Sequence, residues 1–134
     1  MNLYDIIILT HGDAGKELLN SSEMIVGKTK NTTAISLIIG MSPETLMEQT
    51  RKILRPNIKT VILTDIYGGT PSNVATVLSR EYPIHCISGV NLTMLLEANM
   101  LQDSDKEITI EEYVQCIHDA GKDMVQSYQF NKGQ

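Results

Sequence analysis

The sequence predicts an α/β fold: a doubly wound, mainly parallel sheet in the strand order 2-1-3-4. Three observations lead there. Short apolar runs, of which Ile6-Ile7-Ile8-Leu9 is the plainest, recur four times and are apolar on both faces, as strands covered on both sides of a sheet must be. Each run is followed by a stretch whose apolar residues fall at helical spacing. The length, 134 residues of which 42% are apolar, suits one domain spanning 1–134 with a core of its own.

The elements follow in order. Tyr4 to Thr10 is a first strand, too short and too uniformly apolar for a helix. After Gly12, the residues Leu18, Leu19, Ser22, Ile25 and Val26 share one helical face, and Gly27 stands where a left-handed C-cap is expected. Ala34 to Ile39 is a second strand stopped by Gly40. Ser42-Pro43 opens a helix whose inner face is Leu46, Met47, Thr50, Ile53 and Leu54 and which Pro56 ends. Thr60 to Thr64 is a third strand that delivers Asp65. Gly68-Gly69 makes a turn, and Thr70-Pro71 caps a third helix carrying Val74, Val77 and Leu78. Tyr82-Pro83 breaks it before a fourth strand, Ile84 to Ser88. Asn91 caps the next helix, with Leu92, Leu95 and Leu96 inward. Thr109 and Glu112 form a T-x-x-E capping box for a last helix, bearing Tyr113, Val114 and Ile117 and ending at Gly121. Beyond it Met124, Gln126, Tyr128 and Phe130 alternate with polar or smaller residues, a strand signal.

Eleven basic residues against sixteen acidic ones leave a net charge of −5, which argues against a nucleic-acid partner. The apolar runs are far shorter than the roughly 20 residues of a membrane span. No secretory signal is visible at the start, and two cysteines, Cys86 and Cys116, are too few for a disulfide framework or a zinc cage. A soluble, reduced, cytoplasmic domain is expected.

In a doubly wound sheet the ligand crevice opens where the strand order reverses, here between the C-terminal ends of the first and third strands. Those strands are neighbours about 4.8 Å apart. Thr10-His11-Gly12-Asp13 and Asp65-Ile66-Tyr67-Gly68-Gly69-Thr70 therefore meet above it, with two helix N-termini aimed at the same place. Asp65 can fix the imidazole tautomer of His11 and leave the other nitrogen as nucleophile. Gly68, Gly69 and Thr70 can form an anion cradle of backbone N–H groups and a hydroxyl. Asp13 lies on the rim, and one carboxylate without an acidic mate makes a poor metal site. His85 is expected to be a satisfied core or sheet residue, and His118 a surface residue near a helix end. Ile66, Tyr67 and Met94 are candidate partner contacts on the rim.

The segments IIILTHGDAGKELL (6–19), VILTDIYGGTPSNVA (61–75) and ISGVNLTMLLE (87–97) resemble the IIA component of the mannose family of the sugar phosphotransferase system. The resemblance spans nearly the whole chain, with T-H-G, D-x-x-G-G-[ST]-P and G-V-N-x-x-M-L in the right order. It implies a cytoplasmic phosphocarrier that accepts a phosphoryl group from phospho-HPr on His11 and passes it to a IIB domain. IIB in turn serves the membrane IIC and IID proteins. Asp65 would orient the histidine, and Thr70 would lie by the phosphoryl group beside Gly68 and Gly69. Neither a cofactor nor a metal ion is implied. Family members are homodimers that exchange a C-terminal antiparallel strand, which matches the signal after Gly121.

Two rival readings use the same crevice. A receiver-like signalling domain would take phosphate on Asp65, but only Asp13 is at hand for its acidic cluster, and no lysine-bearing fifth strand follows. A flavodoxin-like FMN binder would need stacking aromatics, and Tyr67 is the one evident candidate among five Tyr, one Phe and no Trp.

Overall fold

A computed structural model of the protein describes residues 4–131. In it strand β1 (Asp5–His11) is flanked by β2 (Thr32–Leu37) and β3 (Thr60–Thr64), and β4 (Ile84–Ser88) pairs with β3, every pairing parallel. The order is β2-β1-β3-β4, as the sequence predicts. Successive side chains of a strand point to opposite faces, so the apolar run of β1 supplies two cores. Ile6 and Ile8 join Val61, Leu63 and Ile87 on one face, and Ile7 and Leu9 join Ile62 on the other. The first face is covered by α1 (Ala14–Val26), α4 (Leu92–Gln102) and α5 (Ile110–Asp123), chiefly through Leu18, Leu95, Tyr113 and Ile117. The second is covered by α2 (Pro43–Arg51) and α3 (Thr70–Leu78), through Leu46, Val74 and Leu78. Tyr113, fully buried, gives its hydroxyl proton to the carbonyl of Ala98 at 2.8 Å, so no polar group is stranded with it. At the far end of the sheet the buried Asp5 carboxylate is gripped in bidentate fashion by Arg55.

Several boundaries differ from the sequence reading, each for a physical reason. β2 runs two residues earlier than Ala34–Ile39, because pairing with β1 from Ile6↔Thr32 to His11↔Leu37 sets its frame. Ile38 and Ile39 fall beyond the ladder and stand exposed in a turn with Gly40 at φ +87°. α2 stops at Arg51, before Pro56 is reached, as Ile53 and Leu54 turn back onto Thr50. Ile25, Ile53 and Val77 lie on the outward edges of their segments and are exposed, whereas Gly15, Pro71, Ser72 and Ala75 are buried in contact regions. α3 takes Gly69 as its N-cap, with Thr70 and Pro71 as its first two residues.

Gly121 does not end the last helix. α5 continues to Asp123, and Gly121 is buried where α5 meets α4. A Cβ placed there would lie 2.5 Å from Cγ and 2.6 Å from Cε of Met94. The glycine is thus a close-approach residue, and Met94, 4% exposed, is core rather than rim. Gly121→Val should destabilise the fold by about 1–3 kcal/mol through overpacking, read as a lowered urea midpoint. Met94→Ala in the same background should relieve part of that loss, because it removes the atoms in the way.

Among the described residues, the segment after α5 forms no strand. Residues 125–131 are irregular, and Val125, Tyr128 (91% exposed) and Phe130 project into solvent. β4 meanwhile pairs, among the described residues, only with β3, which leaves its other edge open.

Candidate functional site

β1 ends at His11, and Asp65 follows the last residue of β3, so the reversal in strand order brings the two side chains together. Asp65 makes a compact set of bonds. Its Oδ2 accepts the backbone N–H of His11 at 2.9 Å and faces Nδ1 of the His11 ring at 2.9 Å. Its Oδ1 accepts the backbone N–H of Ile66 at 3.0 Å. Partial burial pushes the Asp65 carboxyl upward, but the backbone and ring donors of His11 outweigh it and hold the group below the usual carboxylate range. A carboxyl depressed in the folded state stabilises the fold above its unfolded value of about 3.9. That contribution is lost as the pH falls through the lower, folded value. At neutral pH Asp65 is fully ionised, and with Nδ1 tied to it the Nε2 of His11 is the nitrogen left for chemistry. The ring is half exposed, at 51%.

The turn after Asp65 is shaped to the imidazole. Gly68 takes φ +86°, which favours glycine. Gly69 has an ordinary φ of −78°, and what demands glycine there is space. A Cβ would sit 3.0 Å from Cε1 of His11 and 2.9 Å from Cγ2 of Ile66. The Gly69 N–H donates to the Ile66 carbonyl at 3.3 Å, and its carbonyl accepts from Asn73, so this residue supports the turn. The N–H groups of Thr70 and Ser72 and the Thr70 hydroxyl make no hydrogen bond among the described residues.

Helix capping separates the two helices that start beside His11 from the others. Ser42, Asn91 and Thr109 cap α2, α4 and α5 with side-chain oxygens. α1 and α3, which start beside His11, have no N-cap side-chain bond. One donor of α1 is met from elsewhere, since Thr10 Oγ1 accepts the Gly15 N–H at 2.9 Å while donating to the Gly12 carbonyl at 3.1 Å. Two polar groups that the sequence reading passed over thus brace the histidine loop: Thr10, and Ser36, whose hydroxyl donates to Asp13 at 2.6 Å. The Thr-His-Gly order was the available signal for the first; the second appears only once β2 is in register with β1.

The remaining candidates make no side-chain hydrogen bond to His11 or Asp65. His118 is exposed and pairs with neighbouring Asp119. His85 departs from expectation, because its buried Nδ1 has no hydrogen-bond partner among the described residues. Ile66 and Tyr67 are exposed on the rim. Cys86 and Cys116 are free thiols.

The EIIA-man family, described as the PTS system fructose IIA component, matches residues 5–117. The mannose-specific EIIAB component of the PTS of Escherichia coli (strain K12) is 34% identical over 127 residues, 91% of this chain and 38% of that protein. The chain thus spans well under half the length of that relative. The fructose-specific EIIA component of Bacillus subtilis (strain 168) is 33% identical over 105 residues, 75% of this chain and 72% of that one. Among solved structures, the EIIA component from Streptococcus agalactiae superposes with a TM-score of 0.85 at 30% identity, covering 93% of this chain and 97% of that chain. The mannose/sorbose-specific IIA subunit from Enterococcus faecalis gives 0.88 at 27% identity over the whole of both chains. With the strand order, the paired histidine and aspartate and the glycine turn all in place, the chain belongs to the mannose-type EIIA family of the sugar phosphotransferase system.

Proposed function

We propose that the protein is a phosphohistidine carrier of a sugar transporter in the cytoplasm, taking a phosphoryl group from phospho-HPr on His11 and passing it to a IIB domain. The single observation that carries this reading is the 2.9 Å contact of His11 Nδ1 with Asp65 at the reversal in strand order, on a half-exposed ring whose Nε2 makes no hydrogen bond among the described residues. With its proton on Nδ1, the neutral ring directs the Nε2 lone pair at the donor's phosphorus, in line with the donor nitrogen that leaves. One P–N bond breaks as another forms, and the loaded ring keeps the Nδ1 proton, whose positive charge Asp65 offsets. The N–H groups of Thr70 and Ser72 and the Thr70 hydroxyl receive the phosphoryl oxygens at the start of α3. Both Asp65 oxygens are engaged by His11 and Ile66, which suits a supporting carboxylate and not the phosphate acceptor of a receiver domain.

Incubation with phospho-HPr should load one phosphoryl group, stable in alkali and lost in acid. A label lost in alkali would place it on a carboxylate and overturn the reading. Delivery to IIB, and through IIB to IIC and IID, requires that this end of the sheet be open to a partner. Ile66 and Tyr67, with Ile38 and Ile39 beyond β2, supply an exposed apolar rim suited to a transient contact.

The same reading includes a homodimer. The open edge of β4 borders a cleft of about 460 Å³ between α3 and α5, lined by Thr76, Cys86, Ser88 and Gln115 among others. The unpaired, apolar segment after α5 has the alternation to pair with that edge on a second copy. Removal of residues 125–134 should convert a dimer to a monomer in light scattering. A truncated chain that stayed dimeric would rule the exchange out.

A further inference from the structure

Aspartate is among the best residues for closing a helix N-terminus, and Asp13 occupies the N-cap position of α1, yet its side chain makes no capping bond. Its backbone, at φ −91° and ψ 14°, is outside the extended conformation usual for a cap. The carboxylate Oδ1 instead accepts from Ser36 Oγ at 2.6 Å, a short charge-assisted bond to a buried side chain of β2. Ser36 lies level with Thr10 in the ladder, one step before His11. Ser36 therefore fixes the Asp13 carboxylate on the β2 side of β1, while chain connectivity keeps its Cα no more than about 7 Å from that of His11.

A second carboxylate close to an imidazole already paired with Asp65 opposes the uptake of a doubly negative phosphoryl group. Such local conflicts concentrate at functional positions. Here the conflict has a use, because a carrier must release what it accepts, and a fixed like charge raises the energy of the loaded state. We propose that Asp13, anchored by Ser36, destabilises phosphorylated His11 and so sets how readily the protein gives its phosphoryl group away. This rests on the carrier reading above. The bonds made and broken are unchanged; only the balance between donor and loaded carrier moves.

The test equilibrates the full chain with phospho-HPr at fixed total phosphate and reads the phosphorylated fraction by intact mass under alkaline quench. Asp13→Asn keeps an acceptor for Ser36 and removes the charge alone. It should shift the equilibrium toward phosphorylated His11 by roughly two- to fivefold, the range for charges of −1 and −2 on residues two apart in the chain acting through a water-like medium. The shift should shrink toward unity in 1 M salt, where the screening length is about 3 Å. Ser36→Ala keeps the charge but frees it, and should move the balance the same way by less. Equal constants for the wild type and Asp13→Asn, or a shift that survives high salt undiminished, would overturn the inference while the carrier reading stands. A wild type that takes up no phosphate would overturn both.

Discussion

His11→Gln is expected to bring phosphoryl uptake from phospho-HPr to background while leaving the fold in place. Glutamine has no ring nitrogen to attack phosphorus, so no residual rate is available from a weaker nucleophile at that position. The fold is spared because the imidazole is half exposed and the contacts that matter to β1 belong to the backbone of residue 11. Its N–H still reaches Asp65 Oδ2, and Ile66 still reaches Oδ1, so the carboxylate keeps two of its three donors. A stability change within about 0.5–1 kcal/mol is expected, as for a surface substitution, measured by urea denaturation. Label persisting at the wild-type level in His11→Gln would show that another residue is the acceptor. Of the other histidines, His85 on β4 has no hydrogen-bond partner for its Nδ1 among the described residues, and His118 on α5 faces Asp119 at 3.0 Å but sits on a helix beside its own sequence neighbour and not at the strand-order reversal.

Most of the site was legible in the sequence because it is made of strand ends. Short runs apolar on both faces and helices of period three to four fix the α/β alternation locally. The strand order then brings the residues after the first and third runs together whatever the details of packing. That logic placed His11 against Asp65 and put Gly68, Gly69 and Thr70 beside them. What it could not supply were facts decided by a neighbour in space. The frame of β2 depends on its ladder with β1, so Ile38 and Ile39, apolar and next to a strand, read as strand and turn out to be exposed loop. Gly121 followed by a basic residue looks like a helix stop, and only the approach of Met94 shows it to be an interior contact. The partnership of Ser36 with Asp13 joins residues 23 apart through the register of two strands. The alternation at 124–130 is a pattern without a partner in one chain.

Asp65→Asn is expected to slow transfer by about a hundredfold or more, and by at least as much as Asp65→Ala, although asparagine is nearly isosteric. The reason lies in the direction of the three hydrogen bonds. In the wild type both carboxylate oxygens act only as acceptors, Oδ2 toward the His11 N–H and Nδ1–H, Oδ1 toward the Ile66 N–H. An amide offers one accepting and one donating end, so either orientation sets an NH₂ group against a backbone N–H. With the amide oxygen toward His11, the clash falls on Ile66, and the turn that carries Gly68 and Gly69 is disturbed. With the NH₂ toward His11, it donates to Nδ1 and drives the ring proton onto Nε2, the nitrogen that must attack. The corresponding exchange in a serine protease triad costs about 10⁴ for the same tautomeric reason. Alanine cannot orient the ring, but neither does it select the wrong tautomer. Both variants lose the negative charge that offsets the loaded ring, so both should also lose phosphate to water faster. Rapid-quench transfer from phospho-HPr separates the two effects: the forward rate reports tautomer and orientation, and the decay of isolated phosphoprotein reports the missing charge. Asp65→Asn transferring as fast as the wild type would show that the carboxylate neither orients nor stabilises His11, and the mechanism built on that 2.9 Å contact would fail.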